Sequence, residues 1–454
     1  MILPYKLAKG LAMKFSYFNP VKICFNTPYL EALEQVKERE ILLITSKSFS
    51  TNATKIKNAL KDRLVGIIDS ISPNPQISHL IALHKNLPKF DSIIALGGGS
   101  VLDSAKFFSY FCGFEGDSAS FLRHITQGDL TYKALKPIYA FPTTSGTSSE
   151  ITPWATIWDK ESMIKYSLND ARLYPKIAFY DVSLTLSLPL KSTIYTALDA
   201  LSHAFESVWN KNSNPISTTY ALKAIEIILS DLAPLSENLN SLPLRTSIMS
   251  ASIYAGLAFS NTQTALAHAI SYPLTMKFDT PHGLACSFSL PLLLDNLALE
   301  SNARAILMPF KKRLLDLFAT LQISIKPRDY GLDREFIESI FSSLNERAKN
   351  GEFDINQVKE AFLAACVMYD CVGGVIIARF CEGYEIYILH ELAGCNAIII
   401  AESSKGKITR ILSLQGDLFL SLLMVRFHKI LDCHAEPLWI IHNDTPLLRL
   451  CEAL

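Results

Sequence analysis

The stretch DSIIALGGGSVLDSAK, residues 91–106, decides the fold of the first part of this chain. A short apolar run leads into three consecutive glycines, and a helical pattern of apolar residues follows them. Glycine permits tight backbone turns, and apolar residues three and four apart are typical of a helix with one buried face. The stretch therefore predicts a strand, a sharp turn and a helix, which is one repeat of a parallel sheet.

The same alternation of strand and helix continues on both sides of this unit. Buried strands are predicted at residues 40–46, 64–71 and 136–141, and helices at residues 52–64 and 79–90. Asn52 is the expected cap of the helix that it opens. The first part of the chain therefore predicts an α/β domain whose parallel sheet is covered on both faces.

Helical patterns dominate after about residue 185 and predict an all-helical second domain. The boundary is expected near residues 181–190, where Pro189 offers a stop and Ser192 a cap. The sequence pattern changes again near residue 371, where strand, hairpin and helix patterns follow one another without clear turn or cap residues between them. We therefore expect an α/β domain over residues 1–187, a helical domain over 188–370 and an extension of unassigned fold over 371–454.

Composition excludes several classes of partner. The 454 residues carry 43 Lys plus Arg and 43 Asp plus Glu, so the net charge is zero and no clustered positive field favours nucleic acid or an anionic membrane. No apolar run is long enough to predict a transmembrane helix, and no secretory signal is recognised. The nine cysteines form no CxxC pair, which favours reduced thiols and a cytoplasmic protein.

Two loops at predicted strand ends carry the residue types that bind nucleotides. Gly97, Gly98, Gly99 and Ser100 open a helix whose free N–H groups suit a pyrophosphate, although a plain tight turn explains them as well. The sequence is neither GxGxxG nor a P-loop. Residues 141–152, FPTTSGTSSEIT, are rich in hydroxyls and are either a polar loop or a nucleotide contact. Ligands of such sheets bind at the carboxyl ends of strands, which favours the second interpretation.

A metal site is the hypothesis raised by ALDALSHAFE, residues 197–206. Asp199 and His203 are four residues apart and share one helix face, and two further histidines, His268 and His282, lie downstream. One carboxylate and three imidazoles form a reasonable ligand set for Zn²⁺ or Fe²⁺. Taken singly, each histidine is better explained as an ordinary core or surface residue than as a ligand.

Five motifs occur in the order and approximate spacing of one family: GGGSVLDSAK, PTTSGTSSEIT, DALSHAFE, AGLAFSNTQTALAHAISYPL and PHGLA. From about residue 15 to about residue 370 the chain resembles the iron-containing (group III) alcohol dehydrogenases, which share a dehydroquinate synthase-like fold. The resemblance implies a dinucleotide-binding α/β domain, a helical domain and an active site in the cleft between them. It also implies a small-molecule alcohol or aldehyde as substrate, a homodimer, and NAD or NADP with a divalent metal, Fe²⁺ before Zn²⁺.

The resemblance assigns roles to individual residues. The implied metal ligands are Asp199, His203, His268 and His282. The implied cofactor contacts are Ser46, Gly97, Gly98, Gly99, Ser100, Thr143, Thr144, Ser148, Ser149 and Lys165. Asp103 is implied near the nicotinamide. The metal would act as a Lewis acid on the substrate oxygen while the nicotinamide exchanges a hydride.

Two positions depart from the family pattern. Tyr272 stands where many members have a histidine that assists proton transfer. It is the implied catalytic residue there together with Asp103, because a phenol can still donate a hydrogen bond, although its high intrinsic pKa makes it a poor base. Ser46, followed by Lys47, stands where relatives often have an aspartate that repels a 2′-phosphate, so both NAD and NADP stay open. One alternative function, which Tyr272 and the C-terminal extension keep open, is a catalytically altered or inactive nucleotide- or metal-binding module. The other is a dehydroquinate synthase-like lyase, which has a similar nucleotide domain and metal.

The substrate is open at this point. A fainter resemblance to phosphonoacetaldehyde reductases suggests a phosphonate, with Arg172 and Lys277 as candidate cations by position, and simple aldehydes are equally credible. A second metal site at Cys433, His434 and His442 is not favoured, because their spacing lacks any known signature.

Overall fold

The computed structural model describes residues 14–127 and 135–366, together with the backbone of strands between residues 370 and 415. It divides into two compact units, Met1–Ala361 and Phe362–Leu454. The helix predicted over residues 416–431 and the candidate residues Cys433, His434 and His442 lie outside the described residues.

The first unit contains a six-stranded parallel sheet and an antiparallel hairpin. The strands are β1 Lys22–Phe25, β2 Ile41–Ile44, β3 Leu64–Ile68, β4 Ser92–Gly97, β5 Ile138–Pro142, β6 Trp154–Asp159, β7 Ile164–Asn169 and β8 Ile177–Tyr180. The sheet order is β1-β8-β5-β4-β2-β3, and β6 pairs with β7 as the separate hairpin. The chain leaves β2 toward β3 and returns to β4 on the other side of β2. The switch point of the sheet therefore lies between β2 and β4, where ligands of such sheets bind.

Helices cover this sheet and form the rest of the unit. They are α1 Tyr29–Ala32, α2 Ser50–Leu60, α3 Ile77–His84, α4 Gly99–Tyr110, α5 Ser118–Gln127, α6 Leu190–Val208, α7 Pro215–Glu237, α8 Leu242–Thr262, α9 Leu266–Phe278, α10 His282–Ser287, α11 Leu290–Asp295, α12 Asn302–Leu307, α13 Lys311–Thr320, α14 Arg334–Ser342 and α15 Ile355–Cys366. The predicted α/β part followed by a helical part is confirmed. None of the described helices is both long enough and apolar enough to cross a membrane.

Alternate side chains of β4, in the middle of the sheet, pack into two separate hydrophobic cores. Ile93 and Ala95 belong to one buried cluster, whereas Ile94 and Leu96 belong to the other. Successive side chains of a strand point to opposite faces, so both faces of the sheet are buried. This burial explains why the strands are continuous apolar runs in the sequence.

Two predicted helix caps are wrong. Helix α2 begins at Ser50, so Asn52 lies inside its first turn and is not a cap. Helix α6 begins at Leu190 with Pro189 as its N-cap, which places Ser192 inside the helix. Proline fixes a φ near −65°, and Pro189 has a φ of −61° that leads the chain into the helix without a capping hydroxyl.

The second unit contains a five-stranded antiparallel sheet. Its strands are β9 Asp370–Val372, β10 Val375–Arg379, β11 Tyr384–Leu392, β12 Cys395–Ser404 and β13 Lys407–Gln415, and neighbours along the chain pair in sequence order. The strand and the hairpin predicted in this segment agree with β11, β12 and β13.

Candidate active site

Asp199 and His203 lie one turn apart on α6 and are both buried. The Oδ1 atom of Asp199 lies 3.8 Å from Nε2 of His203. The ring of His203 stacks flat on Phe259, with 3.8 Å between centroids and an interplanar angle of 2°. This aromatic contact fixes the orientation of the imidazole beside the carboxylate.

The other two predicted ligands come from the next helices and complete the cluster. Oδ1 of Asp199 lies 3.4 Å from Nε2 of His268 on α9 and 3.9 Å from Nε2 of His282 on α10. Gly283 permits this approach, since a Cβ there would lie 1.8 Å from the main-chain oxygen of Tyr195 on α6. Nε2 of each of the three predicted imidazole ligands therefore lies within 3.9 Å of Oδ1 of Asp199, although His203 is outside the group whose ligand atoms are all mutually close.

Glu206 holds His268 in place. Its Oε2 lies 2.6 Å from Nδ1 of His268, and its two oxygens also accept hydrogen bonds from the main-chain N–H groups of Ala265, Ala267 and His268. A neutral His268 that donates its Nδ1 proton to Glu206 keeps a lone pair on Nε2. The position of Glu206, one helix turn after His203 on α6, was a visible signal that the sequence analysis left unassigned.

The donor set fits a divalent metal. Oδ1 of Asp199 and Nε2 of His268 are both buried, and neither has a hydrogen-bond partner within the described residues. When His268 is neutral, these two acceptors face each other across 3.4 Å and repel unless a metal ion lies between them. The raised pKa of His268 favours a proton on Nε2 when no metal is bound. One carboxylate and three imidazoles are ligands that Fe²⁺ and Zn²⁺ accept.

Cys286 is a further candidate ligand that the sequence analysis missed. It follows His282 by one helix turn on α10, and its Sγ lies 3.6 Å from Nε2 of His282. Ligand atoms of Asp199, His268, His282 and Cys286 all lie within 4.8 Å of one another. Burial raises the pKa of the Cys286 thiol, but His268 and His282 lower it further, so the net shift is downward.

The charges of the cluster shift its other pKa values in opposite directions. Burial raises the pKa of Asp199, yet the three imidazoles hold it well below its usual range. Burial lowers the pKa of His203 to about 3. Burial also lowers the pKa of His282, but Cys286 and Asp199 outweigh it and raise the value to about 9. In His268, burial is likewise outweighed by Cys286 and Glu206, and the pKa stands well above its usual value.

Tyr272 lies beside the metal cluster, on the turn of α9 that follows His268. Its ring is parallel to that of His282, with centroids 5.8 Å apart, and the ammonium of Lys165 lies 3.9 Å from its centroid. Burial raises the pKa of this phenol, but Lys165 and the imidazoles of His268 and His282 bring it down to about 8. The structure thus offsets the high intrinsic pKa that made the phenol a poor base in the sequence analysis.

The hairpin β6–β7 covers this side of the cluster, and the sequence analysis did not predict it. Lys165 of β7 pairs with Trp158 of β6, whose ring centroid lies 6.5 Å from that of Tyr272. The ring of Trp154, at the start of β6, contacts Phe259 at 5.6 Å. The alternation of apolar and polar residues over 164–169 was the available signal.

The predicted cofactor residues gather at the switch point of the sheet. Gly98 is the N-cap of α4, and a Cβ at Gly99 would lie 2.7 Å from the side chain of Thr147, so the glycine turn packs tightly on the hydroxyl-rich loop. Thr143 donates its main-chain N–H to Gly97, and Thr144 lies against Gly98. The N-terminus of α4, which begins at this turn, can contribute to a phosphate cradle.

Several predicted cofactor residues have protein partners. The hydroxyl of Ser148 donates to the main-chain oxygen of Ser252 on α8, and the hydroxyl of Ser100 accepts from the main-chain N–H of Asn74. Ser46 follows β2 and is the N-cap of a short 3₁₀ helix, without a side-chain capping bond. The roles of these residues toward a nucleotide stay predictions.

Asp103 and Ser149 belong to a buried polar network. Oδ1 of Asp103 accepts from the hydroxyl of Ser149 at 2.6 Å, and Oδ2 accepts from the main-chain N–H of Thr156 in β6. The buried ammonium of Lys106 donates to Ser149 and to the main-chain oxygen of Trp154. Burial raises the pKa of Asp103, although the Lys106 ammonium opposes that shift. Asp103 therefore ties α4 to the hairpin that covers the metal cluster.

The two cations suggested for a phosphonate are engaged elsewhere. The guanidinium of Arg172 pairs with Asp170 at 2.5 Å, next to it in the same turn. The ammonium of Lys277 lies over the ring of Phe336, 4.0 Å from its centroid. Neither contact involves a residue of the metal cluster.

Comparisons with known proteins agree on one family. Residues 20–182 match the sequence model of the iron-containing alcohol dehydrogenases, and residues 193–360 match the C-terminal model of the Fe-containing alcohol dehydrogenase family. Alcohol dehydrogenase 4 of Saccharomyces cerevisiae is 30% identical over 284 residues, which are 61% of this chain and 73% of the yeast protein. The NADPH-dependent butanol dehydrogenase of Clostridium saccharobutylicum is 28% identical over 354 residues, which are 72% of this chain and 90% of that protein.

A solved structure extends the likeness to three dimensions. The sulfoacetaldehyde reductase of Bifidobacterium kashiwanohense, solved in complex with NAD⁺, aligns with a TM-score of 0.69 at 25% identity. The alignment covers 77% of this chain and 98% of the reductase.

Proposed function

The chain belongs to the iron-containing alcohol dehydrogenase family, and on that premise we propose that it interconverts an aldehyde and a primary alcohol with NAD(P) and a divalent metal. The observation that carries the proposal is the convergence of Asp199, His203, His268 and His282, with two buried acceptors facing each other across 3.4 Å. In the reductive direction, a hydride from C4 of the reduced nicotinamide adds to the carbonyl carbon, and a proton adds to the oxygen.

The four ligand residues would hold the metal, which supplies Lewis-acid polarisation of the carbonyl when it is bound. Glu206 keeps the Nε2 lone pair of His268 directed into the cluster. Phe259 excludes water from one side of His203 and keeps that ring parallel to the ring of His268, 4.5 Å away. These contacts preorganise the site before substrate enters.

Tyr272 is the side chain that we propose as the proton donor to the product oxygen. Its ring lies against His282, and the adjacent Lys165 ammonium favours loss of a proton from the phenol. The glycine turn at the start of α4 and the hydroxyl-rich loop would hold the cofactor pyrophosphate. Asp103 orients this region through its bonds to Ser149 and Thr156.

Cofactor choice and assembly are parts of the proposal that need their own tests. Ser46 offers no carboxylate to repel a 2′-phosphate, and we propose that both NADH and NADPH serve. A comparison of the two kcat/KM values tests this. The homodimer implied by the family is tested by light scattering of the purified chain.

The experiment that tests the function is aldehyde-dependent oxidation of NAD(P)H by metal-stripped protein after addition of Fe²⁺ or Zn²⁺. We expect restored metal to restore turnover, His268→Ala to abolish it, and His79→Ala, a change on α3 outside the site, to leave it intact. If metal binds but no aldehyde in a broad panel consumes the cofactor, the proposal is wrong and a non-catalytic role takes its place.

A further inference from the structure

Two cations lie near Tyr272, one on the hairpin and one on the short helix Glu346–Asn350. The ammonium of Lys165 lies 3.9 Å from the ring centroid of Tyr272. Nη2 of Arg347 donates to the hydroxyl of Ser167 at 3.3 Å. Lys165 and Ser167 are two residues apart on β7, so their side chains lie on the same face of the hairpin. Arg347 therefore lies next to Lys165, on the side of the hairpin that contacts Tyr272.

Neither cation forms an ion pair with a carboxylate within the described residues. Their neighbours in the sequence do: Lys160 pairs with Asp279 at 2.9 Å, and Lys349 pairs with Glu346 at 2.6 Å. Asp103 is the carboxylate that acts on Lys165 at longer range, and both of its oxygens already accept hydrogen bonds. Lys165 and Arg347 are also half-buried, so each is partly desolvated without a counter-charge.

The position of these charges relative to the reacting centre suggests what would pair with them. Lys165 and His282, one of the proposed metal ligands, both contact the ring of Tyr272, the ammonium at 3.9 Å and the imidazole centroid at 5.8 Å from its centroid. A short substrate whose carbonyl oxygen lies at the metal cluster would place its far end near the hairpin. Arg347 donates one bond to Ser167 and has further N–H groups for a planar or tetrahedral oxyanion.

We propose that the substrate is a short aldehyde with an anionic head group, a phosphonate or a sulfonate, which Arg347 and Lys165 bind while the carbonyl lies at the metal cluster. The proposal rests on the function proposed above and names its substrate class. The guanidinium carbon of Arg347 lies 6.0 Å from the ring centroid of Trp154, and this cation–π contact restricts the conformations of the Arg347 side chain. Of the two cations, Lys165 also lies near Asp103 and the cofactor side, so Arg347 is the more specific contact.

The test compares matched substrates in matched variants. The substrates are phosphonoacetaldehyde and sulfoacetaldehyde as anions, and propanal and butanal as neutral aldehydes. The variants are Arg347→Gln, Lys165→Gln and, as a control on the same short helix, Lys349→Gln. We expect Arg347→Gln to lower kcat/KM for the anionic aldehydes by about 10-fold to 100-fold, mainly by raising KM. A loss of this size corresponds to one charge-assisted contact. Turnover of propanal should change by less than about 2-fold, and Lys349→Gln should match the wild type.

Preference of the wild type for neutral aldehydes, or an equal loss on both substrate types in Arg347→Gln, would overturn the proposal. Failure of every aldehyde would contradict the oxidoreductase function, and a binding measurement then still decides the anion site. In calorimetric titration of the cofactor-loaded protein with phosphonoacetate, an inert anion, we expect binding by the wild type and by Lys349→Gln. Arg347→Gln should bind it about 10-fold more weakly or not at all. Equal binding by Arg347→Gln, with unchanged circular dichroism, would contradict the proposed anion site.

Discussion

The carboxylate of Glu206 and the Nδ1 atom of His268 lie 2.6 Å apart in a fully buried contact, with three main-chain N–H groups on the same two oxygens. Glu206 thus fixes the ring of one proposed ligand and the first turn of α9 together.

Glu206→Gln should therefore weaken metal binding. The amide nitrogen would face N–H donors that now meet a carboxylate oxygen, so His268 would lose its fixed orientation. Loss of such an outer partner typically costs about 10-fold to 100-fold in metal affinity. Competition with a chromophoric chelator measures it, with Glu226→Gln, a surface change on α7, as control. An unchanged affinity would show that Glu206 only stabilises the fold.

Tyr272→Phe should lower kcat by about 100-fold at unchanged metal content, since only the phenolic hydroxyl is removed. The phenyl ring still stacks on His282 and still meets the Lys165 ammonium, so substrate KM should change little. Tyr272→His, which installs the residue common in the family, should recover part of the rate. A kcat equal to that of the wild type in Tyr272→Phe would remove Tyr272 from proton transfer.

Cys286→Ser should change the spectrum of the Co²⁺-loaded protein. The Sγ atom of Cys286 lies within the reach of the proposed ligand atoms, and its thiol pKa is shifted downward by His268 and His282 against the effect of burial. We expect a near-ultraviolet charge-transfer band from thiolate to Co²⁺ in the wild type and in Cys24→Ser, and its loss in Cys286→Ser. A band that survives in Cys286→Ser would assign it to another thiolate, and absence of the band from the wild type would restrict the ligand set to Asp199 and the three imidazoles.

Glu150 should make the fold less stable as the pH rises from about 4.5 to about 7. Burial raises its pKa from 4.5 to about 7, so the folded state holds the proton more tightly than the unfolded state does. The resulting stabilisation is complete below pH 4.5 and lost by about pH 7, a change on the order of 3 kcal/mol.

Glu150→Gln should flatten this pH dependence, because a neutral amide can still accept the hydrogen bond from Tyr180. Melting temperatures across this pH range measure the effect, with the exposed Glu335→Gln as control. Parallel curves for wild type and Glu150→Gln would show that Glu150 does not titrate in this window.

Sequence patterns revealed the elements better than the contacts between them. The apolar runs of β2 and β4 are visible because both faces of the sheet are buried. The i, i+4 spacing of Asp199 and His203 reveals half of a ligand set, but only tertiary packing brings α9 and α10 against α6. Without the family pattern, the four ligands could not be joined from spacing alone.

Other features depend on side-chain placement that no local pattern encodes. Arg347 lies 180 residues after Ser167 in the chain, and only the fold makes them neighbours. The hairpin β6–β7 carries polar and aromatic residues instead of an apolar run, because one of its faces covers a site and is not part of a core. The caps at Asn52 and Ser192 failed because the helices begin two residues earlier, without capping hydroxyls.

The hydroxyl-rich loop, residues 141–152, contacts two helices of the helical part, α6 and α8. Ser148 bonds to the main chain of Ser252 on α8, and a Cβ at Gly146 would lie 2.3 Å from the main-chain oxygen of Thr196, one helix turn before Asp199. A nucleotide that binds this loop and a cation that binds Asp199 on α6 therefore both act on the contact between the loop and α6. Thermodynamic linkage then requires reciprocity: whatever factor the cation adds to dinucleotide affinity, the dinucleotide adds to cation affinity.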